Sequence, residues 1–209
     1  MSSSKDGTMV VLSSPSGAGK TTLVKKISKL KNFVTSVSHT TRPPRINEKN
    51  GTHYFFINKS KFKKLIKNKE FLEHAKVFNN YYGTSKKFVY RSLKKGKNVL
   101  FDIDWQGANQ VKNKKINYRL LSFFILPPSK KVLKQRLSNR HKKDNLIVKE
   151  RMKQFEKDVK RWKDYKFVVI NDNLKKCYKQ ILKIIKADLK NKKINYNKKL
   201  VEKHIKKLI

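Results

Sequence analysis

Ser14–Thr22 reads SPSGAGKTT, and its setting decides the fold: Val10, Val11 and Leu12 precede it as an apolar run, and Leu23, Ile27 and Leu30 follow at helical spacing. Strand, glycine loop, helix is the context in which the pattern GxxxxGK[ST] binds phosphate, and this stretch departs from it only in carrying Ser14 for the first glycine. Gly17 and Gly19 let backbone N–H groups converge on phosphate oxygens, and the helix that follows adds its positive dipole end. Lys20 can follow charge between the β- and γ-phosphates of a nucleoside triphosphate, and the Thr21 hydroxyl is placed for Mg²⁺. The competing reading is a plain glycine turn before a helix, and the strand-to-helix setting weighs against it.

Outward from the loop, strand and helix signals alternate. Phe33–Val37 reads as a strand, and a polar, proline-containing loop runs from Ser38 to Gly51. Tyr54–Ile57, Phe71–Phe78 and Tyr81–Tyr82 read as short antiparallel-looking strands around a helix carrying Phe62, Leu65 and Ile66. Helical spacing returns in Phe88–Leu93 with Gly96 as C-cap, followed by strands at Asn98–Ile103 and Leu120–Leu126. Ser129 is placed to cap a helix through Leu137. From Leu146 to Tyr165 a thin apolar stripe (Met152, Phe155, Val159, Trp162) predicts a mobile helical segment rather than core. Phe167–Ile170 is the last core strand, and Asn171–Asn173 offer caps for a helix with Leu174, Tyr178, Ile181 and Ile185 on one face. In the tail, Val201, Ile205 and Leu208 share a face and predict a docked or frayed helix. The alternation implies an α/β fold with a mostly parallel sheet flanked by helices, and ligands at the carboxyl ends of its strands.

A chain of 209 residues accommodates one such core with small insertions. Cys177 is the only cysteine and the five histidines are scattered, so neither a disulfide nor a Cys/His metal site is expected; a reducing, cytoplasmic setting fits. The apolar stretch Met9–Leu12 is too short for a signal peptide, and no other is long enough to cross a bilayer, so no membrane association is expected. A net charge of +40, from 54 basic and 14 acidic residues, would suit a nucleic-acid binder. The lysines, however, are dispersed along every segment and no RNA or DNA module is visible, so a lysine-biased surface without specific nucleic-acid partners is the expectation.

Two further groups of residues carry chemistry. Phe101–Asp104 (FDID) ends a buried strand in two carboxylates, as a Walker B strand does, with helix-capping acids as the alternative. The stretch Ser36–Phe56 supplies Arg42, Arg45 and Tyr54, two guanidinium forks and a phenol suited to a phosphate monoester. Glu70–Thr84 then adds Glu73, Tyr82 and Thr84. Glu73 is a carboxylate acceptor and the Thr84 hydroxyl a donor as well as an acceptor.

With DIDWQGA at Asp102–Ala108 and VVIND at Val168–Asp172, these motifs resemble the guanylate kinase family in its bacterial form, from about Met9 to Leu189. The resemblance implies a P-loop NTPase-like core (1–37, 86–128 and 166–190), an inserted mixed α/β nucleotide-binding subdomain that holds GMP (38–85), a helical lid (129–165) and a basic C-terminal tail (191–209). It implies Mg²⁺-dependent transfer of the γ-phosphate of ATP to GMP, with dGMP as an expected second acceptor. Ser38, Arg42, Arg45, Tyr54, Glu73, Tyr82, Thr84 and Asp102 would line the GMP site. Ser16, Gly17, Ala18, Gly19, Lys20, Thr21 and Thr22 would hold ATP, with Asn171 near the adenine. Lys20, Arg42, Arg140 and Arg151 would be the catalytic cations, and Thr21 the metal ligand.

The chain departs from the family in two places: Asn47 stands where glycine is usual, its tolerance of left-handed backbone being what should preserve the turn, and 139–145 is unusually basic, so that Arg136 competes with Arg140 for its role. Three rivals differ in what they require. A peptide-binding scaffold domain would have a degraded phosphate loop, a kinase for another nucleotide would lack Glu73, and a nucleic-acid binder would show sequence-selective binding.

Overall fold

The computed structural model describes residues 6–77, 79–114, 116–140 and 144–209. Met1–Lys5, Phe78 and residues 141–143, assigned above to the core, a strand end and the lid, lie outside the described residues. The elements in chain order are β1 (Met9–Ser13), α1 (Lys20–Ile27), β2 (Phe33–Thr35), β3 (His39–Thr40), β4 (Phe55–Phe56), α2 (Lys59–Lys67), β5 (Phe71–Val77), β6 (Asn80–Ser85), α3 (Lys86–Lys94), β7 (Asn98–Asp102), α4 (Trp105–Asn113), β8 (Leu120–Leu126), α5 (Lys130–Arg140), α6 (Asn145–Val159), a 3₁₀ turn (Lys160–Asp164), β9 (Phe167–Ile170), α7 (Leu174–Leu189) and α8 (Lys198–Leu208). Among the described residues β2 pairs with β7 and β8 with β9, both in parallel, and β4, β3, β6 and β5 form a sheet in that order. No helix among the described residues is long and apolar enough to cross a membrane.

One compact unit comprises Met1–Val11 and Leu30–Leu120. In its four-stranded sheet β3–β6 and β5–β6 are antiparallel, as the sequence suggests, but β3–β4 is parallel. Their connection, residues 41–54, is long enough for the crossover that a parallel pair requires. One face of this sheet is aromatic: Phe62 of α2 packs 4.7 Å from Phe71 and 5.4 Å from Tyr81 between ring centroids, and His39 lies 5.5 Å from Phe71. A register shift between Phe71 and Glu73 pairs Phe71 with Ser85 but Glu73 with Thr84. The bulge thereby sends Glu73 to the face opposite the aromatic cluster, although two residues along a regular strand would share a face.

The other compact unit comprises Leu12–Lys29 and Leu121–Ile209. Helix α1 packs on α7, and β9 is flanked by α7 and α8. Ser129 caps α5 by accepting from Val132 N–H at 3.2 Å, and Asn173 caps α7 through Lys175 and Lys176 N–H, as expected from their positions. The stripe at Leu146–Tyr165, expected to lie outside the core, is buried: Val148, Phe155 and Val159 are enclosed at i, i+7 and i+11 of α6, one face of the helix.

The tail helix docks. Val201, Ile205 and Leu208 of α8 are buried, His204 Nε2 lies 2.9 Å from Pro127 O, and Val168 N–H of the edge strand β9 donates to Tyr196 Oη at 2.8 Å. Tyr196→Phe leaves a buried amide without its acceptor, so unfolding in urea should show a loss of about 1–3 kcal/mol. An unchanged midpoint would mean that the tail contributes nothing to the edge of this sheet.

Candidate active site

The phosphate loop lies wholly in the unit of Leu12–Lys29 and Leu121–Ile209. Gly17 and Gly19 adopt φ of 85° and 96°, the left-handed region in which side chains are strained, and Gly19 is the N-cap of α1. Lys20, Thr21 and Thr22 form the first turn of that helix, Ala18 is buried, and Ser16 and Lys20 are partly exposed. The loop is braced from outside. Leu133 and Leu137 of α5 pack against Gly17, and Asn171 Nδ2 donates to Ala18 O at 2.8 Å. Asn171 N–H in turn donates to Leu126 O, so the end of β9 holds the loop through a single side chain. Asn171 Oδ1 has no hydrogen-bond partner among the described residues.

Arg136 of α5 donates to Asn171 O at 3.2 Å, and its Nη1 is buried without a hydrogen-bond partner among the described residues. Arg140 ends α5 on the surface, and Arg151 is half-buried on α6. Arg136 is thus tied to the residue that braces the loop. A Cβ at Gly19 would overlap Asn171 Nδ2 and would sit on a backbone that alanine avoids. Gly19→Ala should therefore lower stability by about 1–3 kcal/mol in a thermal melt and weaken ATP binding in titration calorimetry. Unchanged ATP affinity would count against this loop as the triphosphate site.

The acceptor-side residues lie wholly in the unit of Met1–Val11 and Leu30–Leu120. Glu73 and Thr84 are cross-strand partners on β5 and β6, both are buried, and Ser38 Oγ lies 3.3 Å from Thr84 Oγ1. Burial pushes the Glu73 carboxyl up to about 7, against the opposing pull of its hydrogen bonds from Thr84. Glu73 Oε1 has no hydrogen-bond partner among the described residues. A buried carboxylate oxygen costs free energy unless a donor meets it, so this atom marks where donors of a ligand belong.

Arg42, Tyr54, Tyr82 and Asp102 form the neighbouring cluster. The Arg42 guanidinium stands 5.5 Å from the Tyr54 ring centroid, and the Tyr54 and Tyr82 rings are 5.9 Å apart. Burial, with the charges of Asp102 and Tyr82, pushes the Tyr54 phenol up to about 12, so it remains a hydrogen-bond donor. Glu48 was not singled out in the sequence. Arg42 Nη2 donates to both Glu48 oxygens at 2.7 and 2.9 Å, and Arg45 N–H donates to Glu48 Oε2 at 2.9 Å. Burial opposes the Arg42 charge, but its bonds to Glu48 outweigh that and hold it above its ordinary value.

The Arg45 side chain is about half exposed, with its Nη1 4.0 Å from Glu48 Oε1. The turn at 45–48 closes through Glu48 N–H donating to Arg45 O at 2.9 Å, and Asn47 is not among the positive-φ residues. The turn therefore survives without the left-handed backbone expected of Asn47. The spacing Arg42–Glu48 is the signal that could have revealed the ion pair, in a chain with few acids to choose from.

A family model described as guanylate kinase matches residues 6–188. The chain is 45% identical over 184 residues to a guanylate kinase of Buchnera aphidicola subsp. Baizongia pistaciae, covering 87% of this chain and 88% of that one. It is 44% identical to a guanylate kinase of Rickettsia prowazekii, covering 87% and 92%. The crystal structure of guanylate kinase from Anaplasma phagocytophilum superposes with a TM-score of 0.71 at 32% identity, covering 88% and 87% of the two chains.

Proposed function

The chain belongs to the guanylate kinase family, and from that premise we propose how its two residue clusters divide the family's reaction. It is an enzyme that transfers phosphate from ATP to GMP. In the proposed division, Ser16–Thr22 with Asn171 holds ATP, while Ser38, Arg42, Arg45, Tyr54, Glu73, Tyr82, Thr84 and Asp102 hold GMP. The observation that carries the GMP assignment is the buried Glu73 carboxylate with an unpartnered oxygen beside Thr84 and Ser38. Guanine supplies two adjacent donors for such a group, whereas adenine turns an acceptor toward it.

The arginines and tyrosines of the neighbouring cluster supply N–H and O–H donors to the acceptor phosphate. Glu48 aligns Arg42 and yields part of its hold when phosphate oxygens compete for the same guanidinium. On the donor side the loop amides and the N-terminus of α1 bind phosphate, and Lys20 stabilises charge as it moves toward the leaving oxygen. Arg140 and Arg151 add positive charge from segment 129–165, proposed as the lid. The exposed Thr21 hydroxyl in the first turn of α1 is a hard oxygen donor that suits Mg²⁺, and when bound with ATP the ion neutralises phosphate charge. The proposed segments are a core of 1–37, 86–128 and 166–190, the GMP-binding insertion 38–85, and the basic tail 191–209. The lone thiol of Cys177, buried, accords with a cytoplasmic setting.

A coupled assay of the purified protein with ATP, Mg²⁺ and each nucleoside monophosphate tests this reading. Turnover with GMP and dGMP but not with AMP, CMP or UMP is expected. Equal turnover with AMP would overturn the role assigned to Glu73.

A further inference from the structure

Helix α4 carries Gln106, Gln110 and Lys114 at i, i+4 and i+8, with Lys114 as its C-cap, so the three share one face. Each bonds the backbone of an alternate residue on β5. Gln106 Nε2 donates to Lys76 O at 3.4 Å, Gln110 Nε2 donates to His74 O at 2.6 Å while its Oε1 accepts from His74 N–H at 3.1 Å, and the Lys114 ammonium donates to Leu72 O. The periods agree: four helical residues rise about 6 Å and two strand residues about 6.6 Å. Because β5 is an edge strand, its outward backbone groups take these side chains in place of another strand.

Glu73 sits between the rungs to Leu72 and His74. Across from it the helix is bare: a Cβ at Gly107 would overlap Glu73 Oε2, and Gly107 N–H is already committed to Asp104 Oδ1 at 3.0 Å. The carboxylate is thus confined by the strand register on one side and by helix backbone on the other. A shift of β5 relative to α4 would move Glu73 with it.

We propose that Gln106, Gln110 and Lys114, with the bare backbone at Gly107, are positioning residues that hold Glu73 in the orientation guanine requires. The proposal rests on the reading of Glu73 as the acceptor for guanine N1–H and the 2-amino group. Inosine monophosphate keeps N1–H and lacks the 2-amino group, so the ratio of kcat/KM for GMP to that for IMP reports how well Glu73 meets both donors at once.

The experiment measures that ratio, the KM for ATP and thermal melting in the parent and in Glu73→Gln, Gln110→Met and Gly107→Ala. Gln110→Met keeps the length and bulk of the side chain and loses both hydrogen bonds. In Gln110→Met and in Gly107→Ala the ratio should fall by about tenfold to a hundredfold, through KM for GMP, with KM for ATP unchanged. Lower melting with an unchanged ratio in both would show that the rungs only close the sheet edge, and would overturn the proposal. Should Gln110→Met fail to fold, Gly107→Ala decides, because alanine favours a helical position. A parent ratio untouched by Glu73→Gln would instead defeat the guanine reading itself. A ratio that collapses in Glu73→Gln but holds in the other two overturns the positioning role alone.

Discussion

Lys20→Met should leave a folded protein whose transfer of phosphate from ATP to GMP is slower by about two orders of magnitude or more. Lys20 is the first residue of α1, directly after the left-handed Gly19, so its ammonium is carried by a backbone that the loop geometry already defines. Phosphoryl transfer asks the protein for alignment and for charge at the transferring group, and methionine keeps the aliphatic length while removing the charge. The loss should therefore appear in kcat, with melting temperature and GMP affinity little changed. Near-normal turnover would refute the assignment of this loop to ATP.

Glu73→Gln should cut kcat/KM for GMP by about a hundredfold or more, with ATP affinity nearly unchanged. Glutamine offers one acceptor oxygen, and it turns an N–H group toward one of guanine's two donors. The pH dependence gives a second reading of the same residue. Burial raises the Glu73 carboxyl to about 7, so in the free enzyme it is largely protonated on the acid side and must ionise to accept both donors. In the parent, kcat/KM for GMP should fall as pH drops through about 7, and Glu73→Gln should lack that limb.

Stability moves the other way. The folded state binds this proton more tightly than the unfolded chain, whose carboxyl titrates near 4.5, so the group's contribution is full below 4.5 and lost as pH rises through about 7. At pH 8 the ionised carboxylate is a cost to the free protein, and Glu73→Gln should be more stable by about 1–3 kcal/mol, an advantage that vanishes near pH 4. Destabilisation at pH 8 would show that the carboxylate is held for the fold and not for a ligand.

The strand-loop-helix unit around Ser14–Thr22 was legible because everything that defines it is local: β-branched residues, two glycines and a helical apolar spacing within a few turns of chain. The alternation of strands and helices was legible for the same reason, and so were the caps at Ser129 and Asn173, whose partners lie two or three residues away. The family followed from several such local motifs in order.

Tertiary structure decided the rest. Period-two alternation puts Phe71 and Glu73 on one face, and only pairing with β6 reveals the bulge that separates them. The apolar stripe of α6 states which face is dry but not how completely it is enclosed, so Phe155 and Val159 read as marginal and are core. Asn171 braces a loop 153 residues away, and Gln110 pairs with a strand 36 residues away. Local chemistry sets what each residue can donate, accept or bury. Which group it meets depends on chain segments brought together by folding, and one sequence carries no local mark of that meeting.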